Sequence, residues 1–351
     1  MPYGQVDYQE VMRLAEEQSV IGLVTAGLDR VSDVKVPKLE MLQFIGHSLQ
    51  IEEQNKRMNS FVGKLMELLR KEGICAVLVK GQGIAQCYER PMWRTSGDVD
   101  LLLDEENYHW AKALLNGMAS EVNHEGEYNL HQALTIDQWE VELHGTMRTN
   151  LGKRIDRGLD CVQEQCFGNG EFRTWDNDGE AVMLPSPDND VVFVFTHILQ
   201  HFFRGGIGLR QICDWCRLLW TYREELDVTL LERRLREMGL MTEWKAFGAL
   251  ATNYLGLPDE VSRSMFQDPC NPKWKKKARR IIMLVMETGN FGHNRDGSYH
   301  QKYPFLIYKA ISFWQTNKDS FRHLLIFPKD SLRNWWIMLT SGLWRAVRGI
   351  T

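Results

Sequence analysis

The sequence predicts an α+β protein: a small mixed-sheet core flanked by helical N-terminal and C-terminal regions. Three observations carry that expectation. Short runs of β-forming residues, such as "ICAVLVK" (Ile74 to Lys80) and "GDVDLLLD" (Gly97 to Asp104), fall together in one part of the chain. Patterns with helical spacing lie on both sides of them. The length, 351 residues, fits two or three domains at roughly 150 residues each. The expected organisation is a helical lead-in over 1–70, an α/β-layered core over 71–185 and a helical domain with a basic face over 186–351.

In order along the chain, "YQEVMRLAEEQSVIGLVTAGLDRV" has apolar residues every three or four positions, with Gly27 as a break. A long helix follows from about Lys38 to Lys71, ended by Gly73. "ICAVLVK" reads as a buried strand, "GQGIAQCYE" as a turn and helix start, and "GDVDLLLD" as the second strand. "EENYHWAKALLNGMA" has an amphipathic helical pattern. "HQALTI" and "WEVELHGTM" pair as a hairpin, and "FRTWDNDGEAVMLP" forms another around Asn177 to Gly179. From Ser186, an N-cap followed by Pro187, the pattern is helical to the end.

Hydrophobic residues make up 44% of the chain and charged residues 25%, which fits a packed core and excludes a disordered chain. The start lacks a basic segment followed by an apolar one, and "VVFVFTHILQHFF" is too short to span a bilayer. Seven cysteines, an odd number, argue against a disulfide framework, so a cytoplasmic protein is expected. The C-x-x-C of Cys213 and Cys216, like Cys161 and Cys166, reads as buried thiols rather than a zinc site. The net charge is −4, but residues 271–351 carry 15 Lys and Arg against 4 Asp and Glu. That asymmetry suggests a basic face offsetting an acidic body, and secondarily an anionic partner.

The chemistry-bearing residues are carboxylates. On a strand, residues two apart share a face, so Asp98 and Asp100 project together while Val99, Leu101 and Leu103 point the other way. Side-by-side carboxylates repel, and a divalent cation removes the conflict. Loop capping or lysine pairing would also account for D-x-D alone. Glu142, flanked by Val141 and Leu143 in a half-buried strand, adds a third acid that needs a partner. Gly81 and Gly83 end a strand and open a helix, where backbone N–H groups can approach phosphates, although a simple tight turn has the same pattern. The turn matches neither a Walker A nor a dinucleotide-binding motif.

These residues resemble the nucleotidyltransferase fold of the polymerase-beta-like superfamily. "LVKGQGIAQCYERPMWRTSGDVDLLL" followed by "VELHGTM" is similar to a bacterial nucleotidyltransferase family, an uncharacterised NTP-transferase branch, with Leu-x-Lys-Gly, Arg-x-x-x-Asp-h-Asp-h-Leu and h-Glu-h-His (h, apolar). Asn55 in the lead-in helix, "HILQHFF", "GLRQICDW" and "GNFG" (Gly289 to Gly292) look like further family elements. The turn departs from the superfamily's Gly-Gly or Gly-Ser, having Gln82 after Gly81, and the loop to Asp98 is long.

The resemblance implies transfer of a nucleoside monophosphate from an NTP to a hydroxyl on a small molecule or protein, with release of pyrophosphate. It implies Mg²⁺, two ions, with Mn²⁺ as an alternative, held by Asp98, Asp100 and Glu142. Glu142 would also take the acceptor's proton. Lys80, Gly81, Gln82, Gly83, Arg94 and Ser96 would contact the nucleotide and its phosphates. Supporting roles are weighed for His144, on the Glu142 face, and for His201 and Arg210. For these the bland readings are a hydrogen-bonded His197/His201 pair and an i,i+4 pair of Arg210 with Asp214. Basic and aromatic residues in "KWKKKARR" and "LRNWWIMLTSGLWRAVRG" make nucleic acid a disfavoured but chemically sensible partner, with Trp335, Trp336 and Trp344 read as core packing. The alternatives to a transferase are a non-catalytic nucleotide-binding or partner-binding module on the same fold, and a toxin- or antitoxin-type enzyme that modifies tRNA or protein.

Overall fold

The structure is a computed structural model and describes residues 6–32, 35–123, 130–290 and 305–347. Two compact units are present. One comprises Met1–Arg148, Leu159–Val194 and Asp214–Leu226; the other comprises Thr149–Gly158, Phe195–Cys213 and Asp227–Thr351.

The first unit begins with α1 (Tyr8–Glu17), capped by the Asp7 side chain, and α2 (Ile21–Leu28). The 34-residue α3 (Lys38–Lys71) follows. Gly73, at φ +73°, ends it, with Gly73 N–H donating to Arg70 O and Ile74 N–H to Leu69 O. This pair of reversed bonds satisfies carbonyls that the helix leaves open, and it needs the left-handed conformation glycine adopts without a steric penalty. The chain then enters β1 (Val77–Val79), a short α4 (Gly81–Ala85), a 3₁₀ turn (Pro91–Trp93) and β2 (Asp98–Leu102). Next come α5 (Glu105–Asn116), capped by Asp104, β3 (Glu121–Val122), β4 (His131–Ile136) and β5 (Trp139–His144).

These strands form one five-stranded mixed sheet in the order β1-β2-β5-β4-β3. β1 and β2 are antiparallel, β2 and β5 parallel, and β4 and β5 form the expected hairpin, closed by Asp137 at φ +54°. A second hairpin, β6 (Phe172–Asn177) with β7 (Glu180–Pro185), turns through Asp178 and Gly179, both at positive φ. Asp-Gly suits a two-residue turn whose twist matches that of the strands.

Alternation sorts the sheet. Val99, Leu101, Leu103, Val141 and Leu143 are buried in one cluster with Met58, Val62 and Leu65 of α3, Tyr108 and Ala111 of α5, and Val182 and Leu184 of β7. Each large aliphatic side chain buried this way contributes about 1.5–3 kcal/mol relative to exposure. That apolar layer leaves the opposite face of β2 and β5 to carry polar groups.

The second unit is helical where described. It includes α9 (Val228–Met238), α10 (Met241–Tyr254), α11 (Asp259–Phe266) and α12 (Pro272–Thr288), numbered after α6 (Lys153–Asn169), α7 (Pro187–Arg204) and α8 (Leu209–Thr221). Two further helices span Phe305–Leu324 and Pro328–Val347. Phe195, Trp244, Phe247 and Phe266 pack edge-on or tilted in its core. No helix among the described residues is long and apolar enough to cross a membrane. The second half of "GNFG" and the side chain of Trp344 lie outside the described residues.

Candidate active site

The parallel pairing of β2 and β5 sets Asp98 opposite Glu140, Asp100 opposite Glu142 and Leu102 opposite His144. Residues opposed on adjacent strands share a face. Asp98, Asp100 and Glu142 therefore share the face turned away from the apolar cluster. Glu140 joins them, a fourth acid that the sequence reading passed over although it precedes Glu142 by the strand period of two. His131 joins from β4, where it pairs with His144.

Asp100 is the deepest of these groups, with its side chain 2% exposed. Two basic groups answer it. Lys80 Nζ lies 2.6 Å from Asp100 Oδ1, and His144 Nε2 lies 2.8 Å from the same oxygen. His144 Nε2 is also 3.2 Å from Glu142 Oε2, which His131 Nε2 approaches at 3.3 Å. Burial opposes the charge on Lys80, but Asp100, Glu142 and Asp98 outweigh it and raise its pKa. The His144 imidazole is raised in the same way, burial being outweighed by bonds to Asp100 and Glu142. Burial alone would raise Glu142, yet His131, His144 and Lys80 hold it far below the usual carboxylate range. Glu140 moves oppositely: burial, then Glu142, Asp98 and Asp100, raise it.

Four carboxylates thus face one lysine and two imidazoles. A surplus of hard oxygen donors from two adjacent strands fits a divalent cation, which would relieve the mutual repulsion of the acids. Asp98, Asp100 and Glu142 form the oxygen-rich part of that set. His131, Glu142 and His144 offer donor atoms all within 4.8 Å of one another.

The glycine turn adjoins the acids. Lys80 itself takes φ +58° and Gly81 φ +38°, and a side chain on Gly81 would point toward Asp98 O at 3.5 Å. Non-glycine residues in the left-handed region are strained, and such strain gathers at functional sites. Gly83 faces inward: a Cβ there would come within 2.7 Å of Leu184 Cδ2. Gln82 is buried too, donating through Nε2 to Asn55 Oδ1 at 2.8 Å. Asn55 Nδ2 in turn donates to the carbonyls of Met92 and Arg94 at 2.8 Å each. The lead-in asparagine, Gln82 and Gly83 thus fasten the turn and the loop that follows it.

Arg94 forms a separate buried pair. Its Nε and Nη2 reach Asp214 Oδ1 and Oδ2 at 3.1 and 2.6 Å, and Nη1 donates to Ser96 Oγ at 2.7 Å and Thr95 O at 3.0 Å. Tyr88 Oη donates to Asp214 Oδ1 at 2.8 Å. Asp214 therefore takes a cation from the loop before β2. His201 and Arg210 belong to the second unit, where His201 Nε2 lies 3.1 Å from His197 Nε2. All seven cysteines are free thiols; Cys166 and Cys216 are buried as expected, but Cys161 is exposed and Cys213 only partly buried.

A family model described as an uncharacterised nucleotidyltransferase matches residues 4–256. That is well over half of the chain, so the protein belongs to this family. One solved structure with a likeness is an antigenic nucleotidyltransferase-like protein from Paracoccidioides brasiliensis, 16% identical, covering 59% of this chain and 92% of that one with a TM-score of 0.35. No curated protein sequence matches this chain.

Proposed function

We propose that this member of the nucleotidyltransferase family moves a nucleoside monophosphate from an NTP to a hydroxyl acceptor and releases pyrophosphate. The observation that carries the reading is the in-register pairing of Asp100 with Glu142, with Asp98 on the same face. Three acids are thereby held on adjacent, rigid strands above an apolar layer. Asp98, Asp100 and Glu142 would hold Mg²⁺ or Mn²⁺, which when bound neutralises phosphate charge and stabilises the attacking and leaving oxygens.

The chain's own residues supply the rest. Lys80, now paired with Asp100, is the cation that turns to the polyphosphate as the acids are otherwise neutralised. The Gly81 amide lies beside it in the turn and can face a phosphate oxygen. The acceptor oxygen attacks the α-phosphorus, the bond to the β-phosphate oxygen breaks, and its electron pair leaves with pyrophosphate. The hydroxyl proton goes to a carboxylate. Glu142 and Glu140, the two β5 carboxylates on this face, are the groups that could accept it. Arg94 and Ser96 act indirectly, by fixing the loop that leads into Asp98.

The test uses ³²P in the α-position of each of ATP, CTP, GTP and UTP, with cell extract as acceptor source. Label transfer and pyrophosphate release should require a divalent ion and fall by roughly 1,000-fold or more when Asp98→Asn and Asp100→Asn are combined. Transfer undiminished in that folded variant would refute the assignment. Absence of transfer to any acceptor, with Mg²⁺-dependent NTP binding intact, would favour a binding module.

A further inference from the structure

We propose that His131, Glu142 and His144 form a second cation site, selective for a first-row transition-metal dication such as Zn²⁺ or Co²⁺ over Mg²⁺. It shares Glu142 with the proposed transferase centre but does not depend on that chemistry.

His131 on β4 is the cross-strand partner of His144 on β5. Glu142 stands one strand period before His144, so the three side chains leave the same face of the sheet. Both imidazoles turn Nε2 toward a single oxygen, Glu142 Oε2, at 3.3 and 3.2 Å. Donors held about 2.1 Å from one ion are about 3.0 Å apart at right angles and about 3.4 Å apart at a tetrahedral angle. The two nitrogen-to-oxygen spacings fall between these limits, and the three donor atoms all lie within 4.8 Å of one another.

Lys80 Nζ holds Asp100 Oδ1 at 2.6 Å, so Asp100 keeps a cationic partner when His144 turns to a metal ion. Side-chain exposure also grades outward, from 15% at His144 through 25% at Glu142 to 42% at His131, which leaves the ion a path from solvent. Two imidazoles and one carboxylate suit Zn²⁺, Co²⁺ or Fe²⁺, whereas Mg²⁺ prefers oxygen and holds its water. The cluster at Asp98 and Asp100 is the oxygen-only counterpart on the same face.

The experiment titrates Co²⁺ into chelator-treated, full-length protein without nucleotide, following visible absorption and equilibrium dialysis. One Co²⁺ per chain should bind, resist a large excess of Mg²⁺, and weaken by at least about 100-fold in His131→Gln. His131→Cys should keep the ion and add a near-ultraviolet thiolate-to-cobalt band. Asp98→Asn should leave the cobalt spectrum unchanged while weakening Mg²⁺-dependent NTP binding, so that the two sites fail separately. Unaltered affinity in His131→Gln, absence of the thiolate band in folded His131→Cys, or displacement by equimolar Mg²⁺ would each overturn the site.

Discussion

Arg94 and Lys80 are both buried cations beside an aspartate in the first unit, but their surroundings differ in completeness. Arg94 meets Asp214 through two parallel bonds, and its Nη1 donates to Ser96 and Thr95. Charges balance one to one, and Tyr88 supplies Asp214 with a further donor. Lys80 meets Asp100 as a point charge in a field that also includes Asp98, Glu140, Glu142 and His144. There acids outnumber bases, and the backbone at Lys80 is strained. A balanced network holds a loop; an unbalanced, strained one is a place where a ligand's charge lowers the energy of the whole.

The contrast can be sharpened first at a buried acid with another acid beside it. Glu243 of the second unit is fully buried, and burial, then Asp330, push its carboxyl up to about 9. The folded chain keeps a proton there that the unfolded chain, with its ordinary value of 4.5, releases. Stability should therefore fall as pH rises from about 4.5 to about 9 and level off above, at up to about 1.4 kcal/mol per pH unit. Urea unfolding at a series of pH values measures it, and Glu243→Gln should flatten the slope. An unchanged slope in Glu243→Gln would assign it to other groups.

At the balanced pair the expected loss is about 3–5 kcal/mol for Arg94→Met, because Asp214 would be left charged and buried without its cation. Divalent ions should not restore it, since the carboxylate left alone sits on α8 and not on the acid face of β2 and β5. A loss under 1 kcal/mol, or recovery on adding Mg²⁺, would break the distinction and return Arg94 to the nucleotide-contacting role its motif suggested.

How much of this was legible in the sequence follows from distance along the chain. The two faces of β2 could be read from alternation alone, since Asp98, Asp100 and their apolar neighbours obey the strand period. The end of α3 at Gly73 and the hairpin turns were equally local. The α+β class and the nucleotidyltransferase family also emerged from local motifs. Glu140 obeyed the same period but was passed over because Trp139 and Val141 bracket it in a run that also holds the more central Glu142. What pairing decides was not legible. Arg94 finds Asp214 120 positions away, His131 meets Glu142 only through the β4–β5 register, and Gly83 packs against Leu184 of β7, where a Cβ would come within 2.7 Å of Cδ2. A glycine packed against a distant leucine and one facing a phosphate look identical in one sequence.

The finest separation of the two kinds of pair comes from Lys80→Met. Methionine keeps most of the lysine's length and apolar stem, so the change removes the charge with little loss of packing. Asp100 would retain His144 but lose the cation that offsets Asp98 and Glu142, for an expected loss of about 1–3 kcal/mol. Unlike the Arg94 variant, this one should regain its stability in millimolar Mg²⁺ or Mn²⁺, because the carboxylates it leaves unanswered are those that would gather a divalent ion. Its affinity for the ion should exceed that of the unaltered protein, Lys80 no longer competing for Asp100. Thermal unfolding with and without metal reads both effects in one experiment. If Lys80→Met is as indifferent to metal as Arg94→Met, the acid face is a second structural knot, and the surplus of carboxylates on β2 and β5 must be satisfied by something other than a cation.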